Sequence, residues 1–296
     1  MIKTSKKALV YLAPAILALG LTACGQSPVS DSAVKVTNGI AIQDKVYPST
    51  ILLVSVTAEG EAICTGTFVN DSQVVTAGHC VQGLSETSPQ IFYATETNGN
   101  MQALAQAVSF SRNPDYSFAD GVNEFDVSVI NFPANTAPAF SPIADATPNV
   151  GDQFVIVGYG NNANFISAGT LDGQGAGVKR AGTNFISAND NGMLSFAGLT
   201  GTETTPVDGV AAGQYVSSGA GDSGGPLFVN DKLAGVTSGG GLSHTQEGTD
   251  VAISRYVDLN SASSRAFLAK AIKRTTNSTP APLETVVVPT GAANGG

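Results

Sequence analysis

Tryptophan is absent from this chain of 296 residues, and histidine and cysteine are scarce, with two and three copies. Charge is sparse as well: Asp, Glu, Lys and Arg together make up 12%, with a formal balance of −9. No basic stripe interrupts that acidic balance, which argues against a nucleic-acid partner. No fixed period runs through the sequence, which rules out solenoids and propellers. The one sustained apolar run, Ala8 to Leu21, is too short to span a bilayer comfortably. Chemistry based on histidine has only His79 and His244 to draw on.

The N-terminus reads as an export signal. Lys3, Lys6 and Lys7 form a basic region ahead of the apolar run, which ends in small residues. Residues 1–23 are therefore expected to be a signal peptide. Leu21-Thr22-Ala23-Cys24 resembles the bacterial lipobox, in which the cysteine is lipidated and becomes the first residue of the mature chain. The alternative is an ordinary signal cut near Ala23, with Cys24 incidental. Removing three lysines and no acid makes the mature chain more acidic. The expected location is the outer membrane or cell surface, with extracellular release as a variant, and the only membrane contact would be a lipid on Cys24. Cys64 and Cys80 then form the one remaining pair, which an oxidising compartment would join as a disulfide.

Residues 24–35 lack periodicity and read as a tether or propeptide. From Val36 onward, short β-type runs dominate: Ile51–Val56, Ile63–Val69, Gln73–Ala77, Gln90–Ala94, Asp126–Phe132, Gln153–Val157, Gln214–Ser217, Pro226–Val229, Leu233–Ser238 and Asp250–Arg255. The 34 glycines and 14 prolines punctuate them. The stretch 161–205, rich in Gly, Asn and Thr, gives no clear pattern. One helix is expected, over Ser261–Lys273, with Phe267, Leu268, Ala271 and Ile272 on a shared face. Residues 274–296 read as a flexible tail. Many strands and one terminal helix point to an all-β sandwich or barrel.

Gly221-Asp222-Ser223-Gly224-Gly225-Pro226 is the strongest local signal. Glycines on both sides let the backbone turn tightly and present the serine hydroxyl, while the amides of Gly221 and Ser223 can converge on an oxyanion. A serine hydroxyl needs a base, and the base needs a partner to hold its tautomer. His79 follows a β-run in Val75-Thr76-Ala77-Gly78-His79-Cys80, and Asp126 heads the apolar run Val127-Ser128-Val129-Ile130. A carboxylate placed there needs a donor, and an imidazole N–H is a suitable one.

These three segments, in the order His, Asp, Ser, resemble the chymotrypsin–trypsin family of serine proteases over roughly Val36 to Lys273. The resemblance implies two antiparallel six-stranded β-barrels with a C-terminal helix and an active site between them. It implies a catalytic triad of His79, Asp126 and Ser223 and an oxyanion hole from Gly221 and Ser223. It requires no metal and no organic cofactor. The expected partners are protein or peptide substrates, and the expected working unit is a monomer.

The same resemblance places Ser217 at the base of the primary specificity pocket, where an acid would select Lys or Arg. It places Gly240 and Gly248 in the pocket walls and pairs substrate backbone with Ser238-Gly239-Gly240. A bulky apolar residue before the cut is the expectation, with a basic one as the alternative if Asp250 reaches the pocket floor. Gly219 stands where many relatives carry a cysteine, and the aromatic usual beside Ser238 is missing. Val36-Thr37-Asn38-Gly39 looks like a divergent mature N-terminus, so that cleavage after Lys35 would free a Val36 amine to pair with Asp222. Two other readings compete. One is an esterase using the Gly221-x-Ser223-x-Gly225 elbow with Asp231 and His244, and the other is a non-catalytic surface binding module on the same scaffold.

Overall fold

The computed structural model describes residues 36–97, 100–161, 175–200, 210–244 and 250–273. The stretches expected to be a signal peptide, tether and tail, with Cys24 and Lys35, lie outside the described residues, as does Gly248.

The chain enters through β1 (Ile40–Ala41) and then builds a first sheet. Its strands are β2 (Thr50–Thr57), β3 (Gly60–Phe68), β4 (Gln73–Thr76), β5 (Ile91–Thr97), β6 (Asn100–Gln106), β7 (Ser109–Arg112) and β8 (Ser128–Asn131), in the order β6-β5-β2-β3-β4-β8-β7. The second sheet uses β9 (Gln153–Gly158), β10 (Arg180–Phe185), β11 (Ala188–Asp190), β12 (Met193–Gly198), β13 (Pro226–Val229), β14 (Lys232–His244) and β15 (Asp250–Asp258). Its order is β1-β10-β9-β13-β14-β15-β12-β11. Every pairing within the two sheets is antiparallel. Both sheets are curled, as the expected barrels require. They carry eight and seven strands, the larger one gaining the short edge strands β1 and β11.

Alternation along β2 shows how the sheets meet. Ile51 and Leu53 face one way, into a core with Cys64, Phe68, Val74 and Ile130. Leu52 and Val54 face the other way and pack with Ala94 and with Tyr159 from the end of β9. A period of two thus gives one strand both an internal core and a seam with the second sheet. A second seam gathers Val75, Val127 and Val129 against Val157, Phe228, Leu233 and Val236.

Helix α1 (Ala262–Ala271) closes this seam, inserting Phe267 and Leu268. Ser261 caps it by accepting the Ser264 N–H at 3.2 Å, as a serine-rich start predicts. Its C-terminus is tied to β4, because Gln73 Nε2 donates to Ala271 O at 3.0 Å and Lys273 N–H donates back to Gln73 Oε1 at 2.7 Å. The expected strand over Gln214–Ser217 is not formed. Tyr215 has φ 48°, which breaks extension there, and only isolated bridges remain, Thr183 to Gln214 and Thr37 to Ser217.

Candidate active site

Asp126 lies in the turn just before β8 and is 1% exposed. A carboxylate so deep needs donors, and three surround it. Oδ1 accepts the His79 backbone N–H at 2.8 Å, and Oδ2 lies 2.8 Å from His79 Nδ1. Oδ2 also accepts the Ser238 hydroxyl at 2.6 Å. Since an ionised carboxylate only accepts, Nδ1 carries the imidazole proton and Nε2 is left as the free base. His79 opens a short 3-10 turn after β4, clamped at the next residue by the Cys64–Cys80 disulfide. The two sulfurs lie close to the His79 ring, but they are bonded to each other and offer no metal ligands.

The Ser223 turn is seated on the same strand system. Thr65 of β3 donates its N–H to Ser223 O at 2.8 Å and its hydroxyl to Gly221 O at 3.0 Å. Gly224 has φ +75°, and a Cβ there would overlap Thr76 Oγ1 and stand 2.6 Å from Ala77 N. The serine turn therefore presses directly on the residues that lead to His79. Within the described residues, no acceptor takes the N–H of Gly221 or Ser223, so both donors are available to a substrate oxygen. Nor does a hydrogen bond join Ser223 to His79 among the described residues, and such contacts often tighten only when substrate arrives.

Asp222 is fully buried beneath this turn. Its carboxylate accepts the Gly160 N–H and the Gly219 N–H, both at 2.8 Å. Burial pushes its pKa up to about 6, against the pull of those two donors and of Arg180. Only glycine fits at 160, where a Cβ would stand 2.6 Å from Asp222 Cγ. No cation reaches salt-bridge distance of Asp222 among the described residues. Val36 is 1% exposed and packs with Phe154, Ile156 and Val216, while Thr37 O accepts the Ser217 N–H at 3.3 Å.

A cavity of about 250 Å³ opens beside Ser223, lined by Ser218, Ala220, Gly240, Ala252 and Ile253 among others. None of its lining residues is charged. Gly240 stands in its wall as expected, whereas Ser217 is not part of the lining. Ser217 is fully buried behind it and donates its hydroxyl to Leu199 O at 2.7 Å. Ser218, which does line the cavity, donates its N–H to the Ser254 hydroxyl at 2.9 Å. The backbone of Asp250 pairs with His244, beyond the Leu242–Ala252 pair next to the cavity. Val122 fills the space beside Gly239, since a Cβ there would stand 2.6 Å from Val122 Cγ2.

The rival esterase assignment does not survive this geometry. Asp231 sits in the β13–β14 turn and His244 at the far end of the thirteen-residue strand β14, so the two cannot form a relay. The partners of Ser238, Thr65, Ser254 and Val122 carry no signal in the sequence. Threonine and serine are too common to flag, and the pairings join residues far apart in the chain.

A family model described as Trypsin matches residues 42–261. A trypsin of Saccharopolyspora erythraea is 32% identical over 206 residues, covering 67% of this chain and 83% of its own length. Trypsin alpha of Drosophila erecta is 24% identical over 237 residues, covering 79% of this chain and 88% of its own. Among solved structures, a Glu endopeptidase superposes with a TM-score of 0.51 at 16% identity, over 78% of this chain and 95% of the other.

Proposed function

Since the chain belongs to the trypsin family of serine proteases, we propose that it is an exported serine endopeptidase with His79, Asp126 and Ser223 as its catalytic triad. Ser223 Oγ attacks the scissile carbonyl while His79 Nε2 takes its proton. The N–H groups of Gly221 and Ser223 stabilise the oxyanion, and His79 then protonates the departing amine. Water, activated by the same imidazole, hydrolyses the acyl-enzyme. Asp126 keeps the proton on Nδ1 and stabilises the imidazolium.

The observation that carries this reading is the buried Asp126 carboxylate, bonded to both His79 and Ser238. End-blocked peptides provide the test, because only an endopeptidase cuts them internally. His79→Ala and Ser223→Ala should each reduce that cleavage by at least a thousandfold. Full activity in either variant would sink the assignment.

The uncharged cavity beside Ser223 supports preference for an uncharged, apolar residue before the cut. A peptide library cut chiefly after Lys or Arg would overturn that preference. Cleavage after Lys35 is part of the proposal too. It is supported by a fully buried Asp222 served only by N–H donors and by the burial of Val36. The leader supports export, and Cys24 supports lipid anchoring, so processing would also release the protease. Intact mass of the active soluble species checks this, and an N-terminus still at Cys24 would refute it.

A further inference from the structure

A second cavity, of about 460 Å³, lies well apart from the Ser223 cavity and shares no lining residue with it. It sits where β2 and β5 of the first sheet meet the end of β9, and Lys179 forms part of its wall. Lys179 is 3% exposed. Its ammonium donates to Tyr47 O at 2.7 Å and Asp44 O at 3.3 Å, and it lies 5.8 Å from the Tyr159 ring centre. Those two carbonyls use two of three N–H donors. No carboxylate comes within 4 Å of it among the described residues, because Asp44 turns its side chain to Thr95 and Tyr159. Burial drags the Lys179 pKa down to about 7, with Asp44 opposing.

A buried cation held only by neutral dipoles is under-solvated, and an incoming anion would repay that deficit. Pro48, Tyr93, Leu104 and Pro138 give the rest of the cavity an apolar wall. Lys179 and Lys45 against the Asp44 carboxylate leave the lining one net positive charge, which a single negative charge matches, and inorganic phosphate lacks an apolar body for the rest of the wall. We propose that this cavity binds a small monocarboxylate with an apolar body. The carboxylate meets Lys179, and the body lies against Tyr93, Leu104 and Pro48.

Calorimetric titration with 3-phenylpropionate tests this, with 3-phenylpropionamide and inorganic phosphate as comparisons. At pH 6 the acid should bind saturably and at least tenfold more tightly than the amide or phosphate. Lys179→Met should lose at least tenfold, and Asp44→Asn should gain. The other ionisable groups around Lys179 are Asp44, Lys45, Tyr47, Tyr93 and Tyr159. Burial raises all three tyrosines, which stay neutral up to pH 9. Affinity should therefore fall about tenfold per pH unit above the Lys179 pKa. Equal binding of acid and amide, no pH dependence, or no saturable binding would each overturn the proposal. Should Lys179→Met fail to fold, the exposed Asp44→Asn variant and the wild-type pH series decide the matter.

Discussion

Asp126 is held by Ser238 as well as by His79. The Ser238 hydroxyl, 2.6 Å from Oδ2, competes with nothing else for that oxygen except the imidazole. A hydrogen bond to a charged group contributes about 1.5–3 kcal/mol. Ser238→Ala should therefore lower kcat by about ten- to a hundredfold, with KM little changed, in steady-state assays. An unchanged kcat would show that Asp126 is held adequately without it. Gly224 makes the opposite point, since its constraint is steric. Gly224→Ala places a methyl on Thr76 Oγ1 at a positive φ and should cost more than about 4 kcal/mol. Gly241→Ala meets nothing within 4 Å and should be near neutral, so a pair of thermal melts compares the two. At this scale His79, Asp126 and Ser223 stand out in the sequence because their residue types are rare or sit in distinctive company. With only two histidines, one of them after a β-run and before Cys80, His79 had little competition. Ser217 misled, because counting six residues back from Ser223 gives a position but says nothing about which way the side chain goes.

Apolar alternation marks strands closely. Gln153–Val157 and Pro226–Val229 match β9 and β13 almost to the residue, and Ile51–Val56 extends by one residue at each end into β2. β10 is silent in the sequence for a physical reason: its buried residues include Arg180, Thr183 and Asn184, which satisfy themselves by hydrogen bonds and carry no apolar signal. β6 was missed because it is exposed along nearly all its length, with no buried face to impose a pattern. Yet β10 matters to the active site. Arg180 donates to the carbonyls of Gly160 at 3.3 Å, Gly175 at 2.7 Å and Val178 at 3.0 Å, and the Gly160 N–H in turn holds Asp222. Its charge also pulls the Asp222 pKa down. In the unprocessed chain, Arg180→Met should raise that pKa above about 6 and move the Asp222-dependent loss of stability to higher pH in urea titrations, with Arg180→Lys partly reversing it. An unmoved pH dependence would mean that Arg180 only supports the strand.

Two sheets meeting along valine-rich seams bring together residues that the sequence separates by 156 positions, as in Thr65 and Gly221. That assembly also leaves Asp222 buried at the join, with consequences for the stability of the entire chain. Its pKa is raised from 3.8 to about 6, so the folded state holds the proton more tightly than the unfolded state does. The contribution is therefore fully present below about pH 4 and is lost as pH rises through about 6. The shift corresponds to about 3 kcal/mol. In urea titrations of the unprocessed chain, wild type should lose about that much between pH 4 and pH 7 relative to Asp222→Asn, which has no proton to release. Other titrating groups are common to both proteins and cancel in the comparison. A Val36 ammonium freed by cleavage after Lys35 would stabilise the ionised carboxylate and lower its pKa again. The processed chain should then show little of this pH-dependent difference. If processed and unprocessed chains lose the same amount, the Val36 amine does not reach Asp222, and Arg180 is left as the charge that balances it.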